Sequence, residues 1–197
     1  TFAPPMKILE HAQEIRRRLL MAMEQAEQTP DPAARKFLQT VVFVGGGPTG
    51  CEMAGATSEL MRNAMRREFK QLDPDDSRII VIDPGDRLLR AMPESLSASA
   101  QKTLESLGVE TLFKGRVQSM QPGEVTVGTP DGEQIIQAAT VIWTAGVRPS
   151  HLGKTLAGSI DCELDRGGRV VVEADFSVKD HPEIRVVGDL CSYKHTS

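Results

Sequence analysis

The sequence has little cysteine. Its 197 residues include three, Cys51, Cys162 and Cys191, and no two of them form a Cys-x-x-Cys pair. This scarcity argues against a disulfide framework, a zinc site and a redox-active dithiol, and it indicates a reducing compartment. The histidines do not repeat at the i, i+4 spacing of a helical metal site, so no metal ligand is predicted.

A large excess of charge is also missing. The net charge is −4, which argues against nucleic acid as a partner, and the basic run at residues 16–18 is predicted to be a solvated helix face. No apolar run approaches the length of a membrane span and the start does not resemble a signal peptide. These absences predict a soluble, cytoplasmic, globular protein.

The first forty residues combine one amphipathic stretch with a break. Residues 5–27 are predicted to form a helix that starts at Pro4-Pro5 and packs against the body of the protein. Its apolar stripe consists of Ile8, Ala12, Ile15, Leu19, Met23 and Ala26. The segment "QTPDPAAR" (residues 28–35) contains two prolines and is predicted to be a connection.

Strands and helices alternate in the next region. Short apolar, β-branched runs predict three strands, at residues 40–44, 78–83 and 109–113. A long helix through Met65 or Arg66 is predicted after the first strand, and a second helix that stops at Gly108 is predicted before the third. The expected apolar side of the long helix consists of Met53, Ala56, Leu60 and Ala64. This alternation predicts an α/β fold, with a Rossmann-like parallel sheet flanked by helices.

The stretch from residue 115 to 146 changes character, because apolar residues alternate at period two between the turn signals Pro-Gly and Asp-Gly. We predict an antiparallel β-meander with strands at residues 116–120, 124–127 and 134–137. Residues 140–146 are predicted to return to the parallel sheet. A glycine-rich loop and two short strands, "RVVVEA" and "IRVVGD", are expected after it.

A glycine motif separates the first predicted strand from the long helix. Gly45, Gly47 and Gly50 fit G-x-G-x-x-G, in which the first glycine allows a tight turn, the second the approach of a pyrophosphate, and the third close helix packing. The first N–H groups of the helix and its dipole would face the phosphates. The predicted dinucleotide-binding loop comprises Gly45, Gly46, Gly47, Pro48, Thr49 and Gly50.

An acid, Asp83, ends the second predicted strand. A carboxylate there can accept hydrogen bonds from both hydroxyls of an adenosine ribose and repels a 2′-phosphate, which predicts NAD(H) rather than NADP(H). Asp83 lies farther from Gly50 than the usual interval of about 20 residues, and the insert "RREFKQLDPDDSR" accounts for the excess. The alternative is a turn residue at the end of a strand.

Glu52 lies in the first turn of the long helix. Thr49 and Glu52 match the Thr-x-x-Glu capping box, and the helix dipole favours an acid at this position. This spacing explains Glu52 without a catalytic role, and it does not decide whether the residue also has one.

Four segments together resemble a known superfamily. They are "VVFVGGGPTGCEMAGATSEL", "IIVIDPGDRLL", "ATVIWTAGVRPS" and "GRVVVEADFSVKDHPEIRVVGDL". Their order is similar to that in two-dinucleotide flavoprotein oxidoreductases. The helix before the glycine loop and the tryptophan in "VIWTAGVRP" make the chain resemble a type II NADH dehydrogenase, the single-subunit NADH:quinone oxidoreductase.

The resemblance implies roles for the site residues. Residues 45–50 would hold the NADH pyrophosphate, Asp83 the adenosine ribose, and Glu52 would be a catalytic residue beside the nicotinamide and near the flavin. Ala145 and Gly146 match a turn of small residues that lets the dinucleotide pass.

In the resembled family the NAD domain is inserted into an FAD domain. This implies an FAD-domain flank at residues 1–38, an NAD(H)-binding domain at 39–150 and a returning flank at 151–197. Gly188-Asp189 matches a motif whose aspartate binds the ribityl chain of FAD. The chain is therefore expected to be the middle of a longer enzyme that binds FAD, while the chain alone is expected to bind no FAD and to be inactive.

The implied parent enzyme passes a hydride from NADH to FAD and on to quinone, as a peripheral protein on the cytoplasmic face of the membrane. Two alternatives stay open: another flavoprotein reductase of the ferredoxin- or disulfide-reductase type, or a non-catalytic NAD(H)-binding module. The flanks are expected to expose apolar surface, notably on the stripe from Ile8 to Leu19, and so to favour self-association.

Overall fold

A computed structural model describes residues 2–146 and 149–193. The chain divides after Ala145 into two compact units, which we describe separately. The predicted α/β class is confirmed, since the first unit combines a parallel sheet with helices and an antiparallel sheet. The domain boundaries expected at residues 38 and 150 stay predictions.

The elements of the first unit alternate as the sequence predicts, with one addition near the start. In chain order they are α1 (Leu9–Gln28), α2 (Pro32–Leu38), β1 (Thr40–Val44), α3 (Pro48–Glu68), β2 (Arg78–Asp83), α4 (Glu94–Ser106), β3 (Val109–Phe113), β4 (Arg116–Gln121), β5 (Glu124–Thr129), β6 (Gly132–Gln137) and β7 (Thr140–Trp143).

The parallel sheet has the order β3-β2-β1-β7. Both faces of β1 are buried, and Val44 at its end pairs with Ile82 of β2 on one side and with Trp143 of β7 on the other. Because parallel strands end at one edge, the glycine loop after β1 and Asp83 at the end of β2 emerge side by side.

The two faces of the sheet pack against different layers. Val41 and Phe43 face a core that contains residues of α1, α3 and α4. Val42 and Val44 face a second core that contains Val127 and other residues of the antiparallel sheet β4-β5-β6. The predicted meander is confirmed, because its strands pair antiparallel and in sequence order.

Helix α1 starts at Leu9, several residues after the predicted start. The chain before it is extended, and the carbonyl of Pro4 accepts a hydrogen bond of 3.1 Å from the N–H of Trp143. Ile15 and Leu19 are buried in the core. The expected packing of this helix on the body is therefore confirmed, and the expectation that these two residues are exposed for association is wrong.

Helix α2 lies where the sequence analysis expected a connection. Asp31 caps it, since its carboxylate accepts hydrogen bonds from the N–H groups of Ala33 and Ala34 at 3.1 and 3.3 Å. Pro32 occupies the first helical position, which needs no N–H donor. Pro32 thus occupies the start of a helix instead of breaking one.

Helix α3 follows the glycine loop, but its buried face differs from the predicted one. Leu60 of the predicted stripe is exposed. The buried residues are Gly50, Cys51, Ala54, Thr57, Ser58, Met61 and Met65. The hydroxyl of Ser58 donates to the carbonyl of Leu107 at 2.6 Å, so this polar side chain is satisfied inside the core.

The described residues of the second unit include one short α-helix and four short strands. They are α5 (Leu152–Ser159), β8 (Val170–Val171), β9 (Ser177–Val178), β10 (His181–Arg185) and β11 (Cys191–Ser192). Helix α5 replaces part of the predicted loop. The predicted strand "RVVVEA" is reduced to β8, and the predicted strand "IRVVGD" overlaps β10 only at Ile184 and Arg185. A small core forms around Val170, Val178 and Val186. No helix within the described residues of either unit is long and apolar enough to cross a membrane.

Candidate functional site

The glycine loop begins with a turn that only glycine accommodates. Gly45 has φ +115°, and a Cβ atom on it would lie 2.7 Å from the backbone nitrogen of Ala145. Its own N–H donates to the carbonyl of Ile82 at 2.8 Å. Gly45 therefore lets the chain leave β1 while the ends of β2 and β7 stay in contact with it.

Gly47 and Gly50 differ in the space available around a Cβ atom. A Cβ atom on Gly50 would overlap the carbonyl oxygen of Gly45, so this glycine lets α3 pack closely on the loop. A Cβ atom on Gly47 would meet nothing within 4 Å. Gly47 is the N-cap of α3 and Pro48 occupies the first turn. The loop thus presents an open backbone surface at the positive end of a long helix.

Asp83 joins two loops at the carboxyl edge of the sheet. Its Oδ2 accepts a hydrogen bond from the N–H of Gly46, and its Oδ1 accepts one from the N–H of Gly85, both at 2.7 Å. The Nε atom of Arg90 lies 3.7 Å from Oδ1. Asp83 is buried, so these partners compensate for the loss of hydration of its charge.

A cavity of about 410 Å³ lies between the glycine loop and the loop after β2. Its lining consists of Gly46, Gly47, Pro48, Asp83, Leu89, Arg90, Ala91 and Met92. The N–H of Leu89 donates to the carbonyl of Gly46 at 2.8 Å, which fastens the two loops together. Arg90 was not among the predicted site residues, although it follows Asp83 closely in the sequence.

Thr144 is a second site residue that the sequence analysis missed. Its hydroxyl lies 3.0 Å from the carbonyl oxygens of both Val44 and Gly45. The indole N–H of Trp143 donates to the carbonyl of Ala145 at 2.8 Å. Thr144 therefore ties the end of β7 to the turn of the glycine loop, and Ala145 packs directly against that turn.

Cys51 lies beneath the glycine loop in the first turn of α3. Its Sγ is 3.6 Å from the carbonyl oxygen of Gly46. Burial, followed by the nearby carboxylates of Asp83 and Glu52, raises the pKa of the Cys51 thiol to about 11. At neutral pH this thiol is protonated and is a packing residue rather than a nucleophile.

The capping box predicted at Thr49 and Glu52 is wrong. The helix begins two residues earlier, with Gly47 as the N-cap and no side-chain cap, so Thr49 already lies inside the first turn. Glu52 is exposed. Its position is therefore not explained by a cap, and its side chain is accessible to a ligand near the amino-terminal end of α3.

The comparison with known families decides what this architecture is. The pyridine nucleotide-disulphide oxidoreductase family matches residues 4–197. The chain belongs to this family. The relatives described next are named NADH:quinone oxidoreductases, which is the activity that the sequence motifs suggested.

Two relatives of this chain come from Mycobacterium tuberculosis. The type II NADH:quinone oxidoreductase NdhA is 42% identical over 192 residues, which cover 96% of this chain and 41% of NdhA. The type II NADH:quinone oxidoreductase Ndh is 40% identical, over 97% of this chain and 42% of Ndh. The predicted resemblance is confirmed, and the chain spans about two fifths of the length of these relatives.

A solved structure supports the same fold. NDH2 from Plasmodium falciparum in complex with NADH superimposes with a TM-score of 0.83 at 20% identity, over 98% of this chain and 40% of that one. At this identity the match concerns the fold.

The remaining predicted site residues belong to the second unit. Gly146 has φ +67° and a Cβ atom on it would meet nothing within 4 Å. Asp189 is exposed in a short 3-10 turn after Gly188, whose φ is +70°. Both glycines allow backbone that other residues rarely adopt. Within residues 2–146 and 149–193, no group of side chains could hold a metal ion.

Proposed function

We propose that the glycine loop binds the pyrophosphate of NAD(H) and that the whole protein is an NADH:quinone oxidoreductase. One observation carries the binding proposal: Gly47 offers open space above its backbone at the start of a helix of 21 residues. The unpaired N–H groups and the dipole of such a helix end attract phosphate oxygens. The 40–42% identity to the two mycobacterial oxidoreductases supports the activity.

The residues present fit the dinucleotide. The backbone at Gly46 and Gly47 would approach the pyrophosphate, with the cavity beside it for the adenosine part. Asp83 uses one lone pair of each oxygen for a backbone N–H, and a carboxylate has further acceptor sites on the same atoms. Asp83 can therefore also accept from a ribose hydroxyl at the rim of the cavity, which favours NAD(H) over NADP(H).

The chain's own residues orient the cofactor rather than react. NAD(H) supplies the hydride when bound. Residues 45–50 fix the pyrophosphate, and Ala145 with Gly146 leaves room for the dinucleotide to pass. We also propose that Glu52, exposed near the start of α3, contacts the nicotinamide end, and that Asp189 contacts the ribityl chain of FAD in the whole protein.

The binding proposal is tested with a pair of glycine substitutions. Gly47→Ala places a methyl group where the pyrophosphate would lie, in a position that is otherwise open. Gly158→Ala is the matched control, because its Cβ also meets nothing within 4 Å and it lies in the second unit. Calorimetric titration with NADH should show an affinity loss of about tenfold or more, roughly 1.4 kcal/mol, for Gly47→Ala alone. Equal affinities for the two variants would refute the site.

The role of Glu52 requires a protein that includes the flavin. Glu52→Gln keeps the shape of the side chain and removes its charge, and Glu59→Gln, on an exposed position of the same helix, is the control. We expect slower reduction of the flavin by NADH in stopped-flow measurements for Glu52→Gln only. Rates equal to that of the unchanged enzyme would remove Glu52 from the site.

We further propose that the whole protein acts at the cytoplasmic face of the membrane and that this chain self-associates when isolated. Phe2, Ile8 and Leu9 are exposed at the start of the chain, and exposed apolar side chains in one segment favour association. Light scattering at increasing concentration should give a rising mass for the chain, and a lower one for Ile8→Ser/Leu9→Ser. A constant monomer mass would contradict the association.

A further inference from the structure

The second unit contains a cavity of about 570 Å³, and Gly146 is the one residue of the dinucleotide proposal among its described lining residues. Four of its lining residues can carry positive charge, His151, Lys154, Arg166 and Arg169, and none of its described lining residues is acidic. The net charge of the chain is −4, so this concentration of cations runs against the overall charge. Such a convergence favours an anionic ligand.

Two segments supply these cations, and each is held in place. Residues 149–154 lead into α5, where the hydroxyl of Ser150 accepts a hydrogen bond of 3.3 Å from the N–H of Leu152. Gly153 packs against the other segment, since a Cβ atom on it would lie 2.8 Å from the carbonyl oxygen of Gly168. The close approach keeps Lys154 and the turn at residues 166–169 on the walls of one cavity.

The turn at residues 166–169 is organised by the nearest acid. Asp165 Oδ1 accepts hydrogen bonds from the N–H groups of Gly167 and Arg169 at 2.8 and 2.9 Å. The N–H of Arg169 is the largest cause that lowers the pKa of Asp165, and the charge of Arg169 adds to it. This carboxylate is therefore ionised and engaged with the backbone of the turn.

The cations of the cavity keep an excess of positive charge. Within residues 2–146 and 149–193, neither Lys154 nor Arg166 forms an ion pair with a carboxylate. None of the described residues that line the cavity is acidic, so no lining carboxylate balances the charges of Lys154, Arg166 and Arg169. Guanidinium groups present several N–H donors in a plane, which matches the oxygens of a phosphate.

We propose that this cavity binds a phosphate or pyrophosphate group of a ligand, through Lys154, Arg166 and Arg169 with the hydroxyl of Ser150. The group belongs either to a soluble phosphorylated compound or to the headgroup of a phospholipid. The residues named in this proposal all belong to the second unit, and the proposal does not depend on the dinucleotide proposal.

The test uses inorganic pyrophosphate and the chain of 197 residues labelled with ¹⁵N. Titration should shift the backbone amide signals of residues 150–154 and 166–169. Signals from residues 45–50 report separately on any binding at the glycine loop. Lys154→Gln/Arg166→Gln should weaken the affinity measured at the first set by about tenfold or more. The control Lys179→Gln/Arg116→Gln removes the same charge at exposed positions that do not line the cavity. This control should change the affinity measured at residues 150–154 and 166–169 by less than about twofold.

Sedimentation with vesicles separates the two sources of the phosphate. Binding to phosphatidic acid vesicles, absent with phosphatidylcholine and lost in Lys154→Gln/Arg166→Gln, would identify a lipid headgroup. Pyrophosphate binding without vesicle binding would identify a soluble phosphorylated compound. The proposal is overturned if the amides of residues 150–154 and 166–169 do not shift, or if the control variant loses as much affinity as the cavity variant.

Discussion

The Oδ2 atom of Asp83 accepts a hydrogen bond of 2.7 Å from the backbone N–H of Gly46. The residue at the position expected for the ribose ligand thus also shapes the loop expected to hold the pyrophosphate. Its Oδ1 atom accepts a hydrogen bond from the backbone N–H of Gly85, in the loop after β2. A substitution at Asp83 will therefore change both the stability of the loops and the preference between cofactors.

Replacing Asp83 by serine should lower the NADH-to-NADPH affinity ratio about tenfold or more, which corresponds to roughly 1.4 kcal/mol. The carboxylate that accepts from the ribose and repels the 2′-phosphate is removed, while the nearby guanidinium of Arg90 remains. The free energy of unfolding should also fall by about 1–3 kcal/mol, because two backbone N–H donors lose their acceptor. Calorimetric titration with both nucleotides and urea unfolding measure the two effects.

Asp86→Ser is the control for this experiment, since Asp86 is an exposed acid of the same loop. It should leave both the affinity ratio and the stability nearly unchanged. If Asp83→Ser destabilised the protein but kept the ratio, Asp83 would be a structural turn residue only, and the ribose would bind elsewhere.

Thr144→Val should loosen the glycine loop. The substitution keeps the shape of the side chain and removes a hydroxyl that lies 3.0 Å from two buried carbonyl oxygens. We expect a loss of about 1–2 kcal/mol in the free energy of unfolding and weaker NADH binding. Thr144→Ser retains the hydroxyl and should preserve the binding. A variant with valine that binds NADH as well as the unchanged chain would show that the clamp is irrelevant to the site.

The three cysteines should differ in reactivity toward a thiol reagent. Cys51 is buried and the pKa of its thiol is raised to about 11, whereas Cys162 and Cys191 are partly exposed. Because the thiolate is the reacting form, alkylation at pH 8 followed by mass spectrometry should label Cys51 last. Labelling in urea should remove the difference. Rapid labelling of Cys51 in the folded chain would mean that the base of the glycine loop opens readily.

Gln39→Met should stabilise the protein. Gln39 is fully buried, and neither its amide oxygen nor its amide nitrogen has a hydrogen-bond partner within the described residues. Burying an amide without hydrogen-bond partners costs free energy, and an apolar side chain of similar length removes this cost. We therefore expect a gain of about 1 kcal/mol in the free energy of unfolding. Gln13→Met, at an exposed position of α1, should change it by less than about 0.5 kcal/mol. A destabilised Gln39→Met would indicate that an internal water satisfies the amide.

The parallel strands could be predicted from the sequence because short, β-branched apolar segments favour buried strands over other secondary structure. Residues 40–44 and 78–83 are continuous apolar runs that end at glycine or an acid, and both became strands with those bounds. Gly45 and Gly50 also lie in the predicted context, at the close contacts that their missing side chains permit. Local pattern was sufficient wherever both faces of an element are buried.

The errors occur where packing partners decide the outcome. The apolar stripe of α3 was misassigned because Thr57 and Ser58 are buried, and the acceptor that satisfies Ser58 belongs to Leu107, far along the chain. Thr144 was missed because its contact with Val44 depends on how the strands are ordered in the sheet. Arg90 was missed because its contact with Asp83 depends on the conformation of the loop after β2. A single sequence does not reveal those pairings.

The distance along the chain between Thr144 and Val44 has a consequence for how the protein is made. The two residues are 100 positions apart, and β7 can take its place beside β1 only after everything between them has emerged from the ribosome. Strands β1, β2 and β3 close shorter segments, which costs less chain entropy and permits earlier pairing. The turn at Gly45 can therefore be clamped only late in biosynthesis, when β7 completes a sheet in which β1, β2 and β3 have already been able to pair.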